Sequence, residues 1–160
     1  MRIGSAVREL QEAETDLAER FRELGERHPS EPDLFQLAHR FASECEQHAG
    51  KLAPIAERYR GDSADTEGGD GGLFETLREK TGALLATRPE SGVLLLRDLR
   101  ELYVAAQETL ITWVIVNQGA MAARDQELLE VVEECERETE LQIKWLLTRI
   151  RVTAPQVLTS

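Results

Sequence analysis

The sequence has few cysteines, few aromatic residues and no long hydrophobic run. Its 160 residues contain two cysteines, both inside helical patterns, which does not fit the disulfide framework of a secreted protein. The longest uncharged run, 109–123, is too short to span a bilayer, and no apolar stretch of signal-peptide type lies near the first residue. We therefore expect a soluble, cytoplasmic protein without a membrane partner.

Basic residues are also scarce. The chain has 19 Lys and Arg against 30 Asp and Glu, a formal net charge of −11, which repels phosphate backbones and excludes nucleic acid as a partner. No glycine-rich phosphate loop and no Ser-His-Asp arrangement is present, so no ordinary enzyme class has support. These absences favour a non-catalytic protein, and they leave a small-molecule partner unidentified.

Apolar residues recur at alternating steps of three and four, the spacing of amphipathic helices. The pattern predicts an all-α single domain over 1–160, with helices near 5–27, 31–60, 89–118 and 123–151. Ser30 and Asp125 are candidate N-caps, and Gly119 is the candidate turn before the fourth helix. The tail, 152–160, is expected to be loosely attached.

The connection between the second and third helices, 61–88, is the longest in the chain. Its acidic, glycine-rich part, 61–72, is predicted to be mobile, because that composition cannot bury enough apolar surface to order itself. Its aspartates lack the spacing of a calcium-binding loop. Residues 73–87 are weakly helical in pattern. Since such a connection can travel the length of a bundle, we predict a four-helix bundle of two antiparallel hairpins joined by a long crossover.

Polar residues interrupt the inward stripes at one depth. Glu14 lies in the first stripe, either in the core or at a stripe edge that reaches water. Cys45 and His48 lie in the second stripe, and residues 134–138 echo residues 44–48. Counting from the hairpin turns brings together six candidate residues, namely Glu14, Cys45, His48, Glu108, Cys135 and Glu138. The inward stripes of the last two helices also carry Trp113 and Gln142.

This arrangement resembles the ferritin-like superfamily, whose di-iron members take one Glu from the first and third helices and a Glu-x-x-His pair from the second and fourth. The resemblance implies Glu14 and His48 as ligands, with Glu108 as the third-helix carboxylate and Glu101 as its rival. Two cysteines, Cys45 and Cys135, stand where the bridging glutamates would be. Glu138 replaces the second histidine, so the resemblance implies a degenerate di-metal centre.

Two interpretations of these residues stay open. Thiolates are soft ligands, so the set could bind a transition metal, zinc or iron. The favoured interpretation has no metal: the cysteines are small core residues, and His48 is satisfied by carboxylates such as Glu14 or Glu108. Burial of those carboxylates beside His48 would raise the pKa of the imidazole. In either case Cys45 and Cys135 are expected to be close neighbours with free thiols.

The third helix is apolar nearly all round between residues 110 and 116. The side chains of Val104, Ile111, Val114 and Ile115 lie off its inward face, which predicts a homodimer formed through this helix. The alternative is that residues 73–87 cover the same face. We therefore predict a ferritin-like, non-catalytic binding or self-associating scaffold protein. The alternative function is a metal-binding oxidoreductase or metal-handling protein that uses the altered core site.

Overall fold

The computed structural model describes residues 2–60 and 90–160, and within these ranges it consists of four α-helices without any strand. The helices are α1 (Arg2–Arg27), α2 (Pro32–Arg60), α3 (Ser91–Ala123) and α4 (Gln126–Leu158). The all-α prediction is therefore confirmed for these ranges. The predictions for the crossover, 61–88, fall outside the described residues.

Each helix packs against two others: α1 contacts α2 and α3, and α4 contacts α3 and α2. Two ion pairs give the direction of α2 relative to α4. Arg149 binds Asp33 at one end of the bundle, with 2.7 Å between nitrogen and oxygen, and Arg58 binds Asp125 at the other end at 2.8 Å. The helices α2 and α4 are therefore antiparallel.

The direction of α3 follows from its contacts with α1. Near the end of α1, Arg27 pairs with Asp98 at 3.4 Å, while Glu14 in mid-helix accepts a hydrogen bond from Trp113 further along α3. The helices α1 and α3 are thus antiparallel, so α2 and α3 run in the same direction, as expected when a long crossover joins two antiparallel hairpins. Every pair of neighbouring helices is antiparallel, which is consistent with a bundle.

The turn between α3 and α4 lies further along the chain than predicted. Gly119 is inside α3, where a Cβ would meet the side chain of Ile3 at an ordinary contact distance of 3.6 Å, and the helix continues to Ala123. Arg124 makes the turn in the left-handed backbone region, with φ of 54°. Asp125 is the N-cap of α4, as predicted, and its side chain accepts a hydrogen bond from the Leu128 amide.

Two further helix ends differ from the predictions. Helix α2 begins at Pro32, so Glu31 directly precedes it and Ser30 lies in the turn; the Glu31 carbonyl accepts the first helical bond. Helix α4 continues through the expected tail to Leu158. Thr153 is buried there, and Val157 lies against the start of α3, so packing holds the segment that was predicted to be loose.

The core is divided into two hydrophobic halves. The upper half, near the α1–α2 turn, includes Phe21, Leu34, Leu99 and Leu146. The lower half includes Leu10, Leu52, Trp113 and Val132. Between them lies a polar layer, which we define as Glu14 of α1, His48 of α2, and Glu138 and Gln142 of α4. This layer therefore brings charged side chains into the middle of an otherwise apolar core.

Candidate functional site

Glu14 enters the core because it lies on the apolar stripe of α1, between Leu10 and Leu17. Its side chain is fully buried, so the core interpretation is confirmed and the edge interpretation is wrong. The Oε1 atom accepts a hydrogen bond from Trp113 Nε1 at 2.7 Å and another from His48 Nδ1 at 3.2 Å. The Oε2 atom has no hydrogen-bonding partner among the described residues. A buried carboxylate in such surroundings needs a positive charge beside it.

His48 supplies that charge. It is fully buried on α2, and while Nδ1 lies 3.2 Å from Glu14, Nε2 lies 2.7 Å from an oxygen of Glu138. Burial alone lowers the pKa of His48, but the carboxylates of Glu14 and Glu138 outweigh burial and raise it. With an acceptor on each side, both ring nitrogens donate, and the ring is an imidazolium. The predicted direction of the pKa shift is therefore confirmed.

The third-helix carboxylate is not part of this contact. Glu108 is half-buried at the side of α3; burial raises its pKa, and the nearby charge of Arg20 opposes that rise. Thr109 takes the inward position at this level and is buried, with its hydroxyl bonded to the helix backbone. The expectation that Glu108 lies beside His48 is wrong. Its rival Glu101 is also half-buried outside the layer, with a pKa raised by burial.

The two cysteines are buried free thiols, as predicted, but they belong to different halves of the core. Cys45 lies 3.7 Å from the side-chain oxygen of Gln142, and Gln142 is seven residues beyond Cys135 on α4. Seven residues correspond to roughly 10 Å along a helix. The two thiols are therefore offset along the bundle axis, and the expectation that they are close neighbours is wrong.

Both thiols stay protonated at neutral pH. Burial, and next the charge of Glu14, raise the pKa of Cys45 well above its ordinary value. Burial raises the pKa of Cys135 to about 12. A thiol in this form is a poor metal ligand and a poor nucleophile.

These contacts do not fit the metal centre that the ferritin-like resemblance implies. The layer brings together Glu14, His48 and Glu138, but both nitrogens of His48 donate to carboxylates, which leaves no lone pair for a metal. Within residues 2–60 and 90–160, no group of three or more His, Cys, Asp or Glu side chains has an arrangement that could hold a metal ion.

The sequence pattern placed two residues of the site on the inward stripes without predicting a role for them. Trp113 donates to Glu14, and Gln142 accepts from Cys45. A buried indole N–H requires an acceptor, and a buried amide requires partners, so an inward Trp and an inward Gln at the depth of Glu14 were the available signals.

The outer face of α3 is the second feature with functional potential. We define it as Val104, Ile111, Val114 and Ile115, whose exposed fractions are 45%, 55%, 37% and 59%. The face was predicted from the sequence to be apolar. No helix of the described chain is both long and apolar enough for a membrane span.

Comparisons of the chain with protein-family models, with curated proteins and with solved structures found no match.

Proposed function

We propose that this chain is a ferritin-like four-helix bundle that acts as a non-catalytic, self-associating scaffold. In this proposal a protonated histidine between two carboxylates takes the place that a metal has in di-iron members of that superfamily. The observation that carries the proposal is the double engagement of His48, by Glu14 at Nδ1 and by Glu138 at Nε2. The imidazolium balances the charge of the fully buried Glu14, and Glu138 is partly exposed to solvent, so the buried pair needs no metal for charge balance.

The chemistry of the layer supports a non-catalytic role. Glu14 and His48 have no exposed surface, so a substrate has no route to either group in this conformation. The thiols of Cys45 and Cys135 are buried and protonated, which removes the nucleophiles nearest the layer. All four side chains are thus enclosed within the folded chain.

The composition of α3 supports self-association. Apolar side chains on its outer face are exposed, and a contiguous apolar surface on a soluble protein commonly marks a contact site. The segment 109–123 has no charged residue, so the acidic charge of the chain lies elsewhere. Two copies can therefore bring these faces together without like-charge repulsion along the contact, in a symmetric dimer.

Metal analysis of protein purified without a tag tests the first half of the proposal. We expect no stoichiometric zinc or iron, in the wild type and in His48→Gln alike. Stoichiometric metal in the wild type that is lost in His48→Gln would overturn the non-metal role and support the metal-handling alternative.

Sedimentation at micromolar concentration tests the second half. We expect a dimer of the 18.0 kDa chain, and a monomer for Ile111→Asp combined with Ile115→Asp. Phe35→Asp is the matched control, because Phe35 is a similarly exposed apolar residue on α2, which is not a neighbour of α3. A wild-type monomer would refute self-association.

A further inference from the structure

We infer that two copies of this chain associate through antiparallel α3 helices, with Arg100 of each copy entering an acidic groove of the other. The inference rests on the proposed self-association and specifies its geometry. It assigns an occupant to a groove between α3 and α4 that the polar layer does not involve.

The groove has a volume of about 580 Å³ and lies beside the outer face of α3. Asn117 and Met121 of α3 form one wall, and the wall from α4 includes Glu133, Glu136 and Glu140. These glutamates recur at helical spacing along one side of α4. The groove therefore combines an apolar edge with a row of acidic groups.

Arg137 is the basic residue of the groove, but none of the three glutamates forms a salt bridge with it or with any other described residue. Burial, and next the charge of Glu140, raise the pKa of Glu136, as expected when carboxylates adjoin without a positive partner. An arginine placed beside Glu133 could bind its carboxylate with two hydrogen bonds.

Arg100 has the complementary properties. It is exposed on α3 and pairs with no described residue. Arg100, Val114 and Met121 are separated by multiples of seven residues, so they share one side of the helix. Since Met121 lines the groove, Arg100 lies on the side of α3 that faces the groove, further toward the start of the helix.

The register of the apolar residues brings the arginine and the groove together. If Val104 of one copy lies opposite Ile115 of the other in an antiparallel pair, Arg100 lies level with Gly119 of the second copy. That level is between Asn117 and Met121 in the groove. On α4 it corresponds to Leu129, about one helical turn from Glu133, because Gly119 and Leu129 are each five residues from the turn at Arg124. A twofold axis that reverses α3 also keeps the α4 helices of both copies on the same side of the interface.

A parallel pair has the opposite electrostatics. It brings Arg100 next to Arg100 of the second copy and places the two acidic grooves at the same level. Like charges in contact across an interface are costly, whereas the antiparallel pair forms the arginine–glutamate contact twice. Charge complementarity therefore selects the antiparallel dimer.

A charge exchange between two variants tests the inference. Arg100→Glu puts a glutamate beside Glu133 of the other copy, and Glu133→Lys puts a lysine opposite each arginine. We expect either homodimer to be weakened by roughly tenfold or more, because two contacts become repulsive. An equimolar mixture restores both contacts in the heterodimer, so we expect it to dimerise with near wild-type affinity. Arg40→Glu is the control, because it makes the same charge change at an exposed position on α2.

The outcomes separate this inference from the proposed function. A dimer that is lost in the Ile111→Asp and Ile115→Asp variant but indifferent to Arg100→Glu would overturn the antiparallel contact while leaving self-association intact. A mixture that fails to recover would do the same. A wild-type monomer at micromolar concentration would overturn both proposals.

Discussion

Replacing His48 with alanine removes the imidazolium that joins Glu14 of α1 to Glu138 of α4. The variant loses two hydrogen bonds to charged acceptors and leaves Glu14 fully buried, with Trp113 as its remaining donor. Removing one partner of a buried ion pair costs about 3–5 kcal/mol, because the other charge stays in the core without compensation. A domain of this size has a total unfolding free energy of about 5–15 kcal/mol, so the expected loss is a large part of it.

The cost should depend on pH with a definite sign. The folded-state pKa of His48 is raised above its unfolded value, which is about 6.5. The stabilisation from its charge is therefore complete below pH 6.5 and is lost as the pH rises through the folded-state pKa. The difference in unfolding free energy between the wild type and His48→Ala should be largest near pH 5.5 and should shrink toward alkaline pH.

Urea unfolding followed by far-ultraviolet circular dichroism at several pH values between 5.5 and 9 measures both effects. Leu52→Ala is the matched control: it truncates another fully buried side chain of α2, at a cost of about 2–5 kcal/mol that should not vary with pH. Adding Glu14→Gln to His48→Ala should recover part of the loss, since it neutralises the stranded carboxylate. A cost below about 1 kcal/mol for His48→Ala, or the same cost across the pH range, would refute the charged-layer argument.

Thiol chemistry and helix packing give further predictions. Cys45 and Cys135 should not react with an aromatic disulfide reagent at pH 8 in the native protein, and both should react in denaturant, because burial holds their thiols protonated; rapid labelling of the native chain would contradict this. Gly50→Ala should raise the unfolding free energy by about 0.5–1 kcal/mol, since the new methyl group meets no atom within 4 Å and alanine is the better helix former. Gly4→Ala should lower it, because its methyl group would lie 2.8 Å from Cβ of Tyr59; equal effects of the two substitutions would disprove the packing of α1 on α2.

Sequence periodicity was sufficient to locate the four helices, because apolar residues recur at helical spacing along most of each one. It was insufficient at their ends. Gly119 resembles a turn residue in the sequence, but in the structure it lies inside α3, and the actual turn uses Arg124, a residue type with no preference for a left-handed backbone. Helix α4 was predicted to end near residue 151, but it continues through Pro155, because contacts of the last turns with α3 outweigh the missing N–H group.

For the core site, the sequence located Glu14 and His48 correctly because polar residues inside an apolar stripe must point inward. The sequence predicted Glu108 as the second carboxylate beside His48 and missed Glu138, since that choice depends on the rotation of α3 and α4 about their axes. Stripe counting is accurate to about one turn, or roughly 5 Å, which exceeds the length of a hydrogen bond. The same uncertainty made Cys45 and Cys135 look like neighbours.

The polar layer also determines how the helices are aligned along the bundle axis. Apolar stripes repeat every seven residues, so a helix that slides by two turns would again present apolar side chains to its neighbours. Such a slide would move Glu14 away from His48 and bury each of them against aliphatic groups, at the cost of an unpaired charge. The layer therefore excludes shifted alignments that the two hydrophobic halves alone would tolerate. A neutral, fully aliphatic replacement of the layer could raise stability and at the same time permit several interconverting helix alignments.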